Sequence, residues 1–250
     1  MDDELEQQSD EAAYLRSYDR YRYALPLFSL DCAVFTAEPG QLYILLGKRA
    51  RQPQRGKWAL PGGFLDLTQD TDLDRAARRI SVEKSGCRLS HYEQVATYGD
   101  GQRDPRGWSV TSLYMSLIRH QEAPIQPGHS TEAVDWFPVD ANGIVEGLEE
   151  GDLAFDHSRL IRDARIRMAY KAGYSTLPAF LIQNPFRIRD LKRLFEAVLG
   201  RELDNSAFRR RMLESEAIWP TEQIDRSGAH RPAQLYEASD QLIEIGRAHV

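Results

Sequence analysis

The sequence predicts an α/β domain followed by a mostly helical one, and three observations carry that prediction. Short apolar runs separated by turn residues fill the chain up to about Val139. A single strong amphipathic helix is interleaved with them. From Phe155 the apolar spacing turns helical, and a pair of short apolar runs closes the pattern.

Taken in order, residues 1–24 form an acidic segment expected to be flexible. Ser29 to Phe35 and Leu42 to Leu46 read as strands joined by a turn at Glu38-Pro39-Gly40. Trp58-Ala59-Leu60-Pro61 leads into the double glycine Gly62-Gly63, after which Leu73, Ala76, Ala77 and Ile80 recur at helical spacing. His91 to Tyr98, Ser109 to Ile118 and Ala133 to Phe137 supply further strands, which makes residues 25–150 one layered domain. Residues 151–240 begin with a connecting helix marked by Leu160, Ala164, Arg167 and Met168 that ends near Gly173. Pro178 and Asn184-Pro185 punctuate the next stretch. Leu191, Leu194, Phe195 and Val198 then share a helical face, Gly200 stops that helix, and Asp204 or Asn205 caps the next. Ile218-Trp219-Pro220, a polar tip from Asp225 to Arg231, and Gln234-Leu235-Tyr236 outline a hairpin. Helix, turn, helix, hairpin is the order of a winged helix-turn-helix. Residues 241–250 are expected to be a non-native tail, because Glu244 to Val250 reads as the in-frame translation of a sequencing-library adapter.

Composition narrows the class. With 42% hydrophobic and 28% charged residues the chain reads as globular, and no apolar run reaches the length of a membrane span. No signal-peptide pattern opens it, so a cytoplasmic location is expected. Cys32 and Cys87 lack any CxxC or Cys/His partner and read as buried thiols. The net charge of -6 is unevenly spread: residues 155–240 hold 15 Lys plus Arg against 12 Asp plus Glu, and the first 154 residues hold 16 against 25. An acidic half joined to a basic one suits a sensor coupled to a nucleic-acid-binding module.

Gly62-Gly63-Phe64 leads into a helix carrying Arg79, Glu83 and Gly86. A glycine turn before an amphipathic helix is common, and Arg79 with Glu83 could be a surface pair worth a few tenths of a kcal/mol, about 0.2–0.5. Together with Arg49, Trp58 and Leu60-Pro61, however, these residues resemble the Nudix box, G-x5-E-x7-R-E-U-x-E-E-x-G, whose glutamates hold the divalent cations that polarise a diphosphate. Here two of those glutamates are replaced by Ile80 and Lys84, and the interval from Gly63 to Arg79 is two residues too long, which puts Thr71 in the place of the upstream glutamate. A lysine in place of a ligating carboxylate turns attraction into repulsion of about 4 kcal/mol per unit of ion charge at ~4 Å and an effective dielectric near 20. The sequence therefore predicts the fold without the metal, and no catalytic residue.

Two further constellations are rich in arginine. Tyr98 to Gly107 carries Arg103 and Arg106 in a polar loop; this is either a solvated hairpin or a rim whose guanidinium forks grip a diphosphate without metal. In Asp204 to Leu213, Phe208 and Met212 lie one turn apart and face a core, so Ser206 and Arg210 point away with Arg209 and Arg211 on the flanks. An arginine run on a helix is usually solvated surface. As the second helix of a helix-turn-helix before a wing bearing Arg226, His230 and Arg231, it reads as a recognition helix.

These blocks, with Leu153-Ala154-Phe155-Asp156-His157, Phe195 to Arg201, and Arg231 to Tyr236, resemble the Nudix-related transcriptional regulators of NAD metabolism (NrtR) from about Leu27 to Tyr236. The resemblance implies a Nudix-like α/β/α sandwich followed by a mostly helical winged helix-turn-helix domain. It further implies a homodimer on a near-palindromic double-stranded operator, with ADP-ribose or a related nucleotide or sugar phosphate as effector and no cofactor. The regulon would be NAD metabolism or a sugar-utilisation operon. Arg49, Gly62, Gly63, Phe64, Arg79, Glu83, Arg103 and Arg106 are then expected at the ligand. Arg189, Lys192, Ser206, Arg209, Arg210, Arg211, Arg226, His230 and Arg231 are expected at DNA. A hydrolase of the ADP-ribose pyrophosphatase type is the competing reading, and it would need the missing carboxylates.

Overall fold

A computed structural model describes residues 2–38, 40–122, 124–226 and 232–245, with the backbone alone for 2–9. Helix α1 (Asp2–Ser17) opens the chain, so the acidic segment read as flexible has helical backbone. It is followed by β1 (Leu27–Glu38), β2 (Gln41–Arg49), β3 (Trp58–Ala59), β4 (Gly62–Phe64), α2 (Leu73–Ser85), β5 (His91–Asp100), β6 (Ser109–Leu117), β7 (Thr131–Val139) and α3 (His157–Ala172). Strand order is β3-β2-β1-β6-β5, with β4 paired to β1 and β7 to β2, and β1 runs parallel to β6.

The period-two alternation of the strands builds two cores from one sheet. Leu30, Cys32 and Val34 of β1 join Leu45, Tyr114 and the α2 residues Ala76, Ala77 and Ile80 on one face. Ala33 and Phe35 of the same strand join Leu42, Ile44, Leu46, Leu113, Met115 and the α3 residues Leu160, Ile161, Ala164 and Met168 on the other. Helices on both faces make an α/β/α sandwich. Helix α3, grouped in the sequence with the C-terminal domain as a linker, is thus packed into the core of the first. Helix α2 is fixed at its start by Asp72, which accepts the Arg75 N–H at 2.7 Å, and at its end by Gly86 in the left-handed region.

The C-terminal domain comprises β8 (Phe186–Arg187), α4 (Ile188–Leu199), α5 (Asn205–Glu214), β9 (Ile218–Asp225) and β10 (Ala233–Ala238), with sheet order β8-β10-β9. Asp204 caps α5 by accepting from Ala207 N–H at 2.7 Å. Helix α4 is apolar on two sides. Leu191 and Phe195 pack with Phe208, Met212, Ile218 and Tyr236, whereas Leu194 and Val198 enter the core that holds α3. Of the segment read as a non-native tail, Ile243 accepts from Thr176 N–H at 2.9 Å and Ile245 N–H donates to Tyr174 at 2.8 Å, so these residues lie against the 174–176 turn. No helix among the described residues is long and apolar enough to cross a membrane.

Candidate functional site

A cavity of about 390 Å3 opens where β1 and β4, the loops around residues 49–52, 103–106 and 129–130, and the first turn of α3 converge. Its walls carry Arg49, Arg51, Lys84, Arg103 and Arg106 against only two carboxylates, Asp31 and Asp104. That charge balance suits an anionic ligand.

The floor is a buried network. Asp31 reaches it beneath Gly62, where any Cβ would meet the Asp31 carboxylate at 2.0 Å; only glycine fits there. Thr111 Oγ1 donates to Asp31 at 2.8 Å, His157 Nε2 stands 3.6 Å away and Arg103 Nη2 3.7 Å away. The Leu60 N–H donates to His157 Nδ1 at 2.9 Å, which leaves the ring proton on Nε2, facing Asp31. Burial pushes the His157 pKa below the ordinary histidine value, and the Asp31 charge opposes that shift. Arg103 is held most firmly by Asp156, through Nη2 at 3.0 Å and Nε at 3.3 Å, and donates from Nη1 to Ser109 Oγ at 3.3 Å.

At the rim, Arg106 forks onto Asp104 at 2.6 and 3.0 Å and lies over the Phe64 ring at 4.9 Å. Arg49 lies over Phe155 at 4.7 Å and donates to Pro53 O; burial, then the Arg106 charge, lowers its pKa. These two stacks hold both guanidinium planes in place. Lys84 Nζ donates to Ser130 Oγ at 2.9 Å and to His129 O at 3.3 Å, and burial lowers its pKa.

Of the residues expected at the ligand, Arg49, Gly62, Gly63, Phe64, Arg103 and Arg106 line this cavity, and Arg79 and Glu83 do not. Arg79 is committed elsewhere: it forks onto Asp70 at 2.6 and 2.8 Å and also bonds Glu83 at 2.9 Å and Phe64 O at 3.1 Å. The acid that pairs with Arg79 is thus Asp70, next to Thr71, and Asp66 accepts from Thr68 and Gln69 in the turn before it. Sequence reasoning also missed Asp31, Arg51, His129 and Ser130. His157 and Phe155 lay inside a motif block that gave no hint of their placement.

The metal that a Nudix box implies does not fit these residues. Ile80 is fully buried in the α2 core, the Lys84 ammonium stands in the wall, and Glu83 bonds Arg79 outside the cavity. Among the described residues no three His, Cys, Asp or Glu side chains are placed to hold a metal ion.

A second surface lies on α5. Phe208 and Met212 are buried, and Ser206, Arg209 and Arg210 are exposed. Arg210 makes no hydrogen bond or ion pair among the described residues, and Arg209 donates to Tyr236 Oη at 3.1 Å. Arg211, expected on this face, instead donates to Gly173 O at 2.9 Å and Ile245 O at 3.2 Å, because the helix turns it toward the 173–176 segment. Lys192, also expected there, bonds Glu196 at 2.6 Å; Glu196 in turn accepts from Leu203 N–H and fixes the turn between α4 and α5. Arg189 is exposed, with its Nε 3.7 Å from Asp190, and Arg187 pairs with Asp225. Arg226 is exposed at the end of β9; His230 and Arg231 lie outside the described residues.

Comparison with known proteins matches residues 29–163 to the NUDIX domain and residues 178–238 to the NrtR DNA-binding winged helix domain. The ADPR responsive transcriptional repressor NtrR of Acinetobacter baylyi is 43% identical over 228 residues, covering 91% of this chain and 88% of the relative. Among solved structures, Shewanella oneidensis NrtR complexed with a 27mer DNA superimposes with a TM-score of 0.75 at 36% identity, covering 85% of this chain and 94% of that one. The NUDIX domain of that protein complexed with ADP ribose gives a TM-score of 0.54 at 38% identity, covering 63% and 97%.

Proposed function

The chain belongs to the NrtR family, a Nudix-type domain followed by a DNA-binding winged helix, and from that membership we propose that it is a cytoplasmic transcriptional repressor controlled by ADP-ribose. The observation that carries this reading is the pairing of an arginine-lined cavity that has lost its metal carboxylates with an exposed arginine helix. Shewanella oneidensis NrtR forms a complex with a 27mer DNA, and its NUDIX domain one with ADP ribose. Diphosphate oxygens would take the Arg106 fork at the rim and the Arg103 fork at the floor, with Lys84 supplying charge where the parent chemistry needs a carboxylate. Hydrolysis would therefore be absent or vestigial.

Helix α5 would lie in the major groove with Arg210 on a guanine edge, and Arg209, Arg189 and Arg226 on phosphates. His230 and Arg231 would extend those phosphate contacts along the wing. Two subunits would present two such helices to half-sites about one or two helical turns apart, which makes the operator a near-palindrome. The genes controlled belong to NAD metabolism or to sugar utilisation.

The full chain tests this directly. Selection from random duplexes should return a near-palindrome, and titration calorimetry should detect ADP-ribose. Incubation of ADP-ribose with Mg2+ should release no AMP. Steady turnover at ordinary enzyme rates, lost in Glu83→Gln, would restore the hydrolase reading.

A further inference from the structure

Among the described residues, helices α2, α3 and α5 each have an aspartate at the N-cap, and one of these three aspartates caps nothing. Asp72 and Asp204 each accept a first-turn N–H at 2.7 Å. Asp156, at the same position of α3, accepts none; both its oxygens are spent on Arg103. The carboxylate is thus shared between two claims, a cavity cation and the orphan N–H groups of the helix that follows. Resting on the reading above, in which an effector diphosphate takes Arg103, we propose that Asp156 is the coupling residue that passes effector occupancy to the winged helix. Phosphate oxygens draw the Arg103 guanidinium to themselves, and the released carboxylate turns onto the first turn of α3.

What α3 does next follows from its far contacts. Arg165 is completely buried and donates from Nη2 to Ala197 O, in the last turn of α4, at 2.8 Å. Its Nε and Nη1 have no partner among the described residues. It is therefore a buried guanidinium with spare donors set on the carbonyl end of the first helix of the helix-turn-helix. About 14 Å of rigid helix separates it from Asp156. Leu194 and Val198 of α4 share a core with Leu160, Ile161, Ala164 and Met168 of α3, so a change at the first turn of α3 is delivered to α4 through packed contacts.

The test uses the full chain, a labelled operator duplex and ADP-ribose, with Asp156→Asn and Asp156→Ala. Both variants release Arg103 and should bind ADP-ribose about tenfold more tightly, a gain that structural damage would not produce. Asparagine caps as well as aspartate does and alanine does not, so the two then diverge. Without ADP-ribose, Asp156→Asn should already have the operator affinity that wild type reaches at saturating ADP-ribose. Asp156→Ala should bind ADP-ribose while its operator affinity changes less than about twofold on adding it. Asp156→Ser, a cap that cannot form the ion pair, replaces Asp156→Asn if that variant does not fold. Wild-type coupling in all these variants, or unchanged ADP-ribose affinity, overturns the proposal while leaving the effector reading intact. Absence of ADP-ribose binding in wild type overturns both.

Discussion

The arginines of the sensor cavity and those of α5 share a side chain and differ in engagement. Arg103 and Arg106 of the cavity are both forked onto carboxylates of their own chain. Arg210 stands exposed with no such partner among the described residues, and Arg209 only touches a phenol. An anion that takes Arg103 or Arg106 must exchange with those carboxylates, and exchange is what a sensor needs. An open face gains charge contacts outright, which is what affinity for a polyanion needs.

The largest effect expected from that contrast is at Arg103. Arg103→Ala leaves Asp31 and Asp156 without their cation, and truncating one member of a buried pair costs about 3–5 kcal/mol; Asp156 keeps some solvent contact, which favours the lower end. Urea titration should show the loss, and calorimetry should show no ADP-ribose binding. A variant as stable as wild type would mean that the floor network is not a paired unit.

Arg210→Ala should cost nothing in stability and about 1–3 kcal/mol on the operator, with scrambled DNA unaffected. Arg226→Ala should weaken both DNAs alike and reduce the salt slope by about 0.9. Equal losses on both sequences for Arg210→Ala would place that residue with the phosphate contacts.

Acid sharpens the contrast further, since arginines do not titrate and buried histidines do. Burial holds His157 and His91 below the ordinary value of 6.5. Below pH 6.5 the unfolded chain takes up these protons while the folded protein resists. Stability should therefore fall with pH below about 6.5, by up to ~1.4 kcal/mol per pH unit for each histidine. Thermal melts that stay flat from pH 7 to 5 would rule this out. The smallest effect is local to the DNA face: Asp204→Ala removes the α5 cap and should cost about 1 kcal/mol in the same melts.

Much of this was legible in the sequence because it is local. The Leu73, Ala76, Ala77, Ile80 stripe, the Asp204 cap, the Gly200 stop and the inward Phe208 and Met212 all follow from spacing along one element. What escaped depends on distant segments or on loop length. Asp31 and His157 meet only because β1 and α3 converge on the cavity. Counting back from Arg79 pointed to Thr71, yet the side chain that bonds Arg79 is Asp70, because a turn, unlike a helix, keeps no fixed register. On α3 the residues that marked the helix, Leu160, Ala164, Arg167 and Met168, did not single out the arginine that is buried. Arg165 is the buried one, one turn from Ile161, and Arg167 reaches Glu93 at 3.2 Å. A charged residue on a core face carries no warning in a pattern of apolar positions.

Helix α4 has apolar residues on two sides, and this matters to anyone cutting or grafting the protein. A winged-helix fragment expressed alone would bring Leu194 and Val198 to solvent as a sticky stripe, and a sensor fragment ending before α4 would show the matching hole. A chimera that borrows this DNA reader for another sensor must therefore repaint that seam or inherit poor solubility.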